Sequence, residues 1–391
     1  MERRDFADSP VGYLARRTLS TVSGEQVEYD AFMPAPLPDE VSLTSATFKI
    51  VTEASQALGH LNGTVQRLPH PDILVRPTVS REAVASSALE GTFAALQDVM
   101  AAQATPDAAR TGDLLEVNNA AVALWEGLRR LGKYPIHFRL AADLQAILVK
   151  GTRGDGHDAG RLRDTQVFIS GSSRVDVQNA RFVPPPPGDD LVAAISQWER
   201  WINADDDLPL VVKVALGHYQ FETLHPFRDG NGRVGRLIML LQLIAGGGLA
   251  KPVLNLSSYL EAEKDRYRDL LLHVSMTGAW DEWVVFIAAG IKREALKSIG
   301  RIDKLMALRE QMRATLESQK IRGFSRDLVD EIVGNPIVNA STVAVAHGVS
   351  WPTANTAIQK LVKLGFLEEI TGGQYGRLYF APAPYAVIES D

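Results

Sequence analysis

Between His225 and Arg236 the chain reads HPFRDGNGRVGR, where a titratable ring, a hard carboxylate, three glycines and three arginines stand close together. Gly230, Asn231 and Gly232 lie immediately before an apolar helical pattern, so their backbone N–H groups and the helix dipole form an anion site. Glycine lets the backbone come close to that anion. Arg233 and Arg236 are three apart and share a helical face, which adds two permanent cations. Asp229 is a carboxylate at which Mg²⁺ could bridge to phosphate oxygens, and His225 titrates in the range suited to taking a proton from an incoming hydroxyl. Together these residues describe a site for moving a phosphorus group. The same glycines fit G-x-G-x-x-G, yet no strand precedes them, no β-α-β pattern surrounds them, and the chain has no G-x-x-x-x-G-K-[ST]. A dinucleotide fold and an ordinary P-loop are therefore set aside.

The twelve residues also match the Fic signature H-x-F-x-[DE]-G-N-G-R-x-x-R at every defined position. RLRDTQVFISG with RFVPPPP, LNLSSYLEAEKDRYRDLL and WDEWVVFI resemble further Fic-domain segments. The resemblance implies an all-α core with a β-hairpin flap, and transfer of AMP from ATP, with Mg²⁺, to a hydroxyl side chain of a protein. It assigns His225 as general base and Asp229 as the Mg²⁺ ligand. It places Gly230, Asn231 and Gly232 in the nest for the α- and β-phosphates, and Arg233 and Arg236 on the distal phosphates. Phe227 reads as a core anchor; Tyr259 and Tyr267 read equally as lining of the adenine pocket or as half-buried aromatics. The flap near residues 163–183 would align a segment of the target by β-augmentation, with the protein itself among the targets. Upstream, Ser86-x-x-x-Glu90-Gly91 resembles the inhibitory pattern [ST]-x-x-x-E-[GN]. Ser86 and Glu90 share a helical face and Gly91 is suited to ending the helix. By the family pattern Glu90 pairs with Arg236 and fills the space of the γ-phosphate.

The elements that must position these groups are mostly helical. EAVASSALEGTFAALQDVM, LLEVNNAAVALWEGLRRL, LAADLQAILVK, VVKVALGHYQFETL, RLIMLLQLI and RIDKLMALREQMRATLE carry apolar residues at spacings of three and four. The exception is the hairpin expected from TQVFI and ARFV around the turn-rich SGSSRVDVQN, closed by Pro184 to Pro187. The C-terminal pattern of short helices followed by FLEEITGGQYGRLYFAP suggests a winged helix-turn-helix. The expected domains are an N-terminal helical region over 1–105 with the inhibitory helix, a Fic-type core over 106–300, and a linker helix with the winged helix over 301–391.

Composition narrows the chemistry. Among 391 residues there is no cysteine, so disulfides, thiolate nucleophiles and Cys-ligated zinc are excluded. The polar N-terminal sequence lacks the apolar core of a signal peptide, and the run from Leu237 to Ala250 suits a buried helix rather than a membrane span, so a cytoplasmic protein is expected. The net charge of -6 gives no global reason for a polyanion partner, and from Arg322 onward five basic residues face seven acidic ones. The C-terminal module is accordingly read as serving a protein partner or a homodimer at least as readily as DNA. Two other functions fit the motifs: a nucleotide-sensing, DNA-binding regulator, and a Fic enzyme acting mainly in AMP removal.

Overall fold

The computed structural model describes residues 3–20, 26–68, 71–105, 112–170, 180–373 and 376–390. In chain order come β1 (Gly12–Ser20), β2 (Gln26–Pro34), α1 (Ser45–Gln66), α2 (Asp72–Leu89), α3 (Leu96–Ala104), α4 (Gly112–Leu131) and α5 (Phe138–Val149). They are followed by β3 (Ile169–Ser170), β4 (Ala180–Phe182), α6 (Asp189–Ile202), α7 (Leu210–Leu224), α8 (Asn231–Ala245), α9 (Leu256–Ala262), α10 (Lys264–Thr277) and α11 (Trp280–Ser318). The C-terminal part holds α12 (Ser325–Gly334), β5 (Ile337–Val338), α13 (Ala340–His347), α14 (Trp351–Lys363), β6 (Glu368–Glu369), β7 (Tyr379–Phe380) and α15 (Pro382–Glu389). The fold is mainly helical, with small antiparallel sheets.

Contacts divide the chain into two compact units, each assembled from separated stretches and so cut differently from boundaries at 105 and 300. The first comprises Met1–Leu58, Val122–Gly248 and Tyr259–Lys292. Its centre is α7 against α8, both apolar nearly all round and buried, as a helix with no polar face must be. α6 covers α7 with one stripe, Leu191, Ile195, Trp198, Trp201 and Ile202, at helical spacing. Residues 12–20 and 26–34, inside the segment expected to be helical, instead form the antiparallel pair β1–β2. It survives through tertiary packing. Phe32 N–H donates to Val183 O at 2.9 Å, and Tyr29 and Ala31 pack with Ala180 and Val183 of the flap. The flap strands β3 and β4 pair antiparallel but are shorter than TQVFI and ARFV, and residues 171–179 lie outside the described residues.

The second unit comprises Gly59–Ala121, Leu249–Ser258 and Arg293–Asp391. Here α2 packs on α12 and α3, and α13 on α14. β5, β7 and β6 make a three-stranded antiparallel sheet in that order. Arg309 and Arg313 of α11 both donate to the Asp330 carboxylate of α12, a mostly buried pairing with bidentate geometry.

Candidate active site

All residues from His225 to Arg236 lie in the first unit, where α7 and α8 hold them. α7 stops because His225 turns into the left-handed region, φ 49° and ψ 60°, which costs a non-glycine residue roughly 1–2 kcal/mol. Its N–H still closes the last turn on Phe221 O at 3.0 Å. The ring Nδ1 is 3.2 Å from Glu222 O. A carbonyl only accepts, so Nδ1 carries the proton and the lone pair of the neutral ring sits on Nε2, the tautomer a base acting at Nε2 needs.

The loop between the helices is closed by Asn231, whose Oδ1 accepts from Phe227 N–H and whose Nδ2 donates to Phe227 O, both at 2.8 Å. Its side chain is thus committed to the loop, and only its backbone N–H is left to serve an anion nest. Phe227 is the core anchor expected, 1% exposed and stacked on Phe138 at 5.6 Å. Gly230 precedes α8 with φ 83°, and no side chain at that position caps the helix. Arg233 and Arg236 occupy the first two turns of α8 and are each 3% exposed. Gly235 serves packing: a Cβ there would lie 2.4 Å from Glu222 Oε1 and 3.2 Å from His218 Cε1 and Phe221 Cδ1 of α7.

Asp229 has a half-exposed carboxylate whose Oδ1 accepts from Gly230 N–H at 2.7 Å and stands 3.5 Å from Arg233 Nη2. Its carbonyl accepts from Gln145 Nε2 at 3.0 Å, and Gln145 Oε1 accepts from Gly160 N–H at 2.6 Å. A Cβ on Gly154 would meet Asp229 Oδ2 at 2.4 Å, so the glycine keeps space open beside the carboxylate. Among the described residues no cluster of three or more His, Cys, Asp or Glu could hold a metal. One carboxylate beside an anion nest fits Mg²⁺ in the manner usual for nucleotide sites, where phosphates and water complete the shell.

Behind the nest, His218 is 1% exposed and packs beside the rings of Tyr267 (5.9 Å) and Trp283 (6.2 Å), which also touch each other, with Nε2 2.8 Å from Tyr267 Oη. Burial, then the nearby Arg236 cation, push its pKa down to about 3, so the ring is neutral near pH 7. Tyr267 and Tyr259 are 4% and 6% exposed and pack against Phe286, which is the placement of core aromatics. In the second unit, α2 ends after Ser86, which is buried, with Glu90 exposed at the C-cap and Gly91 at φ 85°. Gly91 N–H donates to Ala88 O at 3.0 Å and Thr92 N–H to Ser87 O at 3.1 Å, a Schellman closure. Thr92 Oγ1 donates to Glu116 Oε2 at 3.0 Å and pins that end.

Sequence reasoning gave no role to Gln145, Gly154, Arg163 or His218. Each lies outside the signature, and only the third dimension brings it to the motif. Arg163 is fully buried, and desolvation pushes its pKa down to about 10, leaving it charged near pH 7.

Comparison with known proteins bears on this geometry. Residues 135–243 match the Fic/DOC family model and residues 48–129 the model of the Fic/DOC family N-terminal region. The chain carries a Fic domain. A protein adenylyltransferase Fic of Nematostella vectensis is 32% identical over 168 residues, 41% of this chain and 36% of that protein. One of Drosophila grimshawi is 36% identical over 115 residues, 28% of this chain and 22% of that protein. The chain thus spans about a third or less of the length of these relatives. A Fic family protein from Desulfovibrio desulfuricans shares the fold with a TM-score of 0.55 at 19% identity, covering 87% of this chain and 97% of that one. Fic-1 of C. elegans does so with a TM-score of 0.51 at 20% identity, covering 66% and 74%. The Fic domain match takes in Arg163, Gln145 and the whole twelve-residue motif. No helix among the described residues is long and apolar enough to cross a membrane.

Proposed function

We propose that the chain is a self-inhibited protein adenylyltransferase, moving AMP from Mg-ATP to a Ser, Thr or Tyr hydroxyl of a target protein, itself included. The observation that carries the reading is the arrangement around the start of α8: a helix start at Gly230 with no side-chain cap, two buried arginines, and an imidazole whose Nδ1 faces Glu222 O. In this reading the α- and β-phosphates rest on the turn from Gly230 to Gly232, and Arg233 and Arg236 offset the charge of the distal phosphates. The hydroxyl oxygen attacks the α-phosphorus in line. The bond from that phosphorus to the bridging oxygen breaks, pyrophosphate leaves, and His225 Nε2 takes the hydroxyl proton. Asp229 would hold Mg²⁺, which when bound neutralises phosphate oxygens. Tyr259 and Tyr267, being core groups, would act on adenine only by shaping the wall behind it.

The flap would align the target. A cleft of about 490 Å³ beside its base, lined by Arg17, Tyr29, Thr165, Gln166, Pro186 and Asp190, supports a docking role there. Self-inhibition rests on the Ser86–Glu90–Gly91 pattern and on the fixed cap that presents Glu90, which would compete with the γ-phosphate for Arg236. The order α12, β5, α13, α14, β6, β7 and the sheet order β5-β7-β6 support a winged helix. Its acidic balance favours a protein partner or a second copy over DNA.

The test uses ATP labelled separately on the α- and γ-phosphates. Only the α-label should enter protein, and His225→Ala should abolish that transfer while ATP still binds. Entry of the γ-label, or full transfer by His225→Ala, would refute the reading.

A further inference from the structure

Arg163 leads from the turn after α5 into the flap. It is 2% exposed, among the largest fully buried side chains of the protein. Its polar groups reach three separate segments. From the motif loop, its backbone N–H donates to Pro226 O at 3.0 Å, Nε to His225 O at 2.8 Å, and Nη2 to Leu224 O at 3.4 Å. From the strand leading into the flap, Nη1 donates to Thr165 O at 3.2 Å. From the proline run that leaves the flap, Pro185 O accepts from Nη2 at 2.5 Å.

The carbonyls it meets are those that a helix end and a proline run leave over. α7 cannot pair its last carbonyls once His225 departs from helical geometry, and a cation at that end also meets the negative pole of the helix. A proline run has acceptors and no donors. A planar, permanently charged fork is the side chain able to serve such a set of acceptors at once, and a lysine, with a single nitrogen, is not.

We propose that Arg163 is a positioning residue for the transfer: its guanidinium holds the left-handed backbone of His225 and fastens both legs of the flap to it, so that base and target are placed by one side chain. This rests on the reading of His225 as the base and of the flap as the target's template. Arg163 touches neither nucleotide nor target in this role, and so acts on turnover rather than on ATP affinity.

The experiment compares Arg163→Lys with its parent and His225→Ala, all in the 391-residue chain carrying Glu90→Gly, using α-labelled ATP, an ATP titration by direct binding, and thermal melts. Arg163→Lys should bind ATP within about twofold of its parent and keep the KM for ATP, while kcat falls about 10²-fold, the scale of a 1 Å misplacement. Arg163→Ala should lose more, and millimolar guanidinium should restore it severalfold. Transfer that survives His225→Ala sinks the base assignment itself. Transfer lost in His225→Ala and retained in folded Arg163→Lys sinks the positioning role alone, as does a loss carried by KM. A measurement without substitution stands beside these: the Arg163 Nε–H should be protected from solvent exchange in the intact protein, and rapid exchange overturns the geometry on which the proposal stands.

Discussion

Gly235 separates two explanations of the glycines, and its replacement by alanine gives them opposite signs. Were it a phosphate-contact glycine, Gly235→Ala would gain roughly 1 kcal/mol of helix propensity inside α8 and lose nucleotide affinity. The packing tells against that. The new Cβ would stand 2.4 Å from Glu222 Oε1 and 3.2 Å from both His218 Cε1 and Phe221 Cδ1. The carboxylate end of Glu222 can swing away, but His218 is fully buried, packed against Tyr267 and Trp283 and hydrogen-bonded to Tyr267, so it has little room to retreat. Overpacking of this kind costs about 1–3 kcal/mol. After the propensity gain the net should be a loss of about 1 kcal/mol, equivalent to a Tm lower by about 2–4 °C for a unit of this size. The assay is a thermal melt paired with an ATP titration. A Tm that falls with Kd changed less than threefold supports the packing role; a raised Tm together with a tenfold weaker Kd would refute the reasoning.

Two further outcomes are expected. An unfolded imidazole takes up a proton below about pH 6.5, whereas folded His218 does so only near 3, so between those values the unfolded state binds more protons and stability falls as pH falls, by at most about 1.4 kcal/mol per pH unit. Urea melts at pH 7, 6 and 5 should show this extra slope in wild type and not in His218→Asn; parallel slopes would remove His218 from the account. For the brake, initial labelling rates should rise severalfold in Glu90→Gly and partially in Glu90→Gln, and equal rates in three folded proteins would end the inhibitory reading.

The twelve-residue motif was legible because its chemistry is local: an imidazole, a carboxylate, glycines and arginines within three turns of chain. The helices were legible for the same reason, through apolar spacing that repeats over ten or more residues. The pair β1–β2 was not, since its strands carry Arg16, Arg17, Glu28 and Asp30 and are held by pairing with each other and by packing on the flap, which no window of sequence contains. Asn231 was read as part of the nest from its place between two glycines, and the Phe227 backbone four residues away turned out to use its whole amide. Arg163 sat in plain view in RLRD, but its acceptors are carbonyls, and backbone carbonyls leave no trace in a sequence.

The placement of α2 shows the same limit more strongly. Pro77 stands inside this helix and, lacking an N–H, leaves the carbonyl of Ile73 without its helical donor. Gly334 of α12 sits close to that carbonyl: a Cβ on it would lie 2.0 Å from Ile73 O. One turn beyond Pro77, Arg81 Nη1 donates to the carbonyls of Ile388 and Glu389 at 2.6 and 2.8 Å, and from α11 Arg301 Nη2 donates to Ser390 O at 2.9 Å. The first contact is backbone against backbone, which yields less than a flexible side chain would, and the others clamp the end of α15. The helix that ends in the Glu90 cap is therefore set in place by α12 and α15, elements encoded far downstream of it, and a pattern as short as Ser86-x-x-x-Glu90-Gly91 acquires a defined geometry only once they are present. It follows that the C-terminal elements cannot be treated as an appendage when the segment carrying Glu90 is considered: whatever direction Glu90 faces is fixed within the same packed unit that they form.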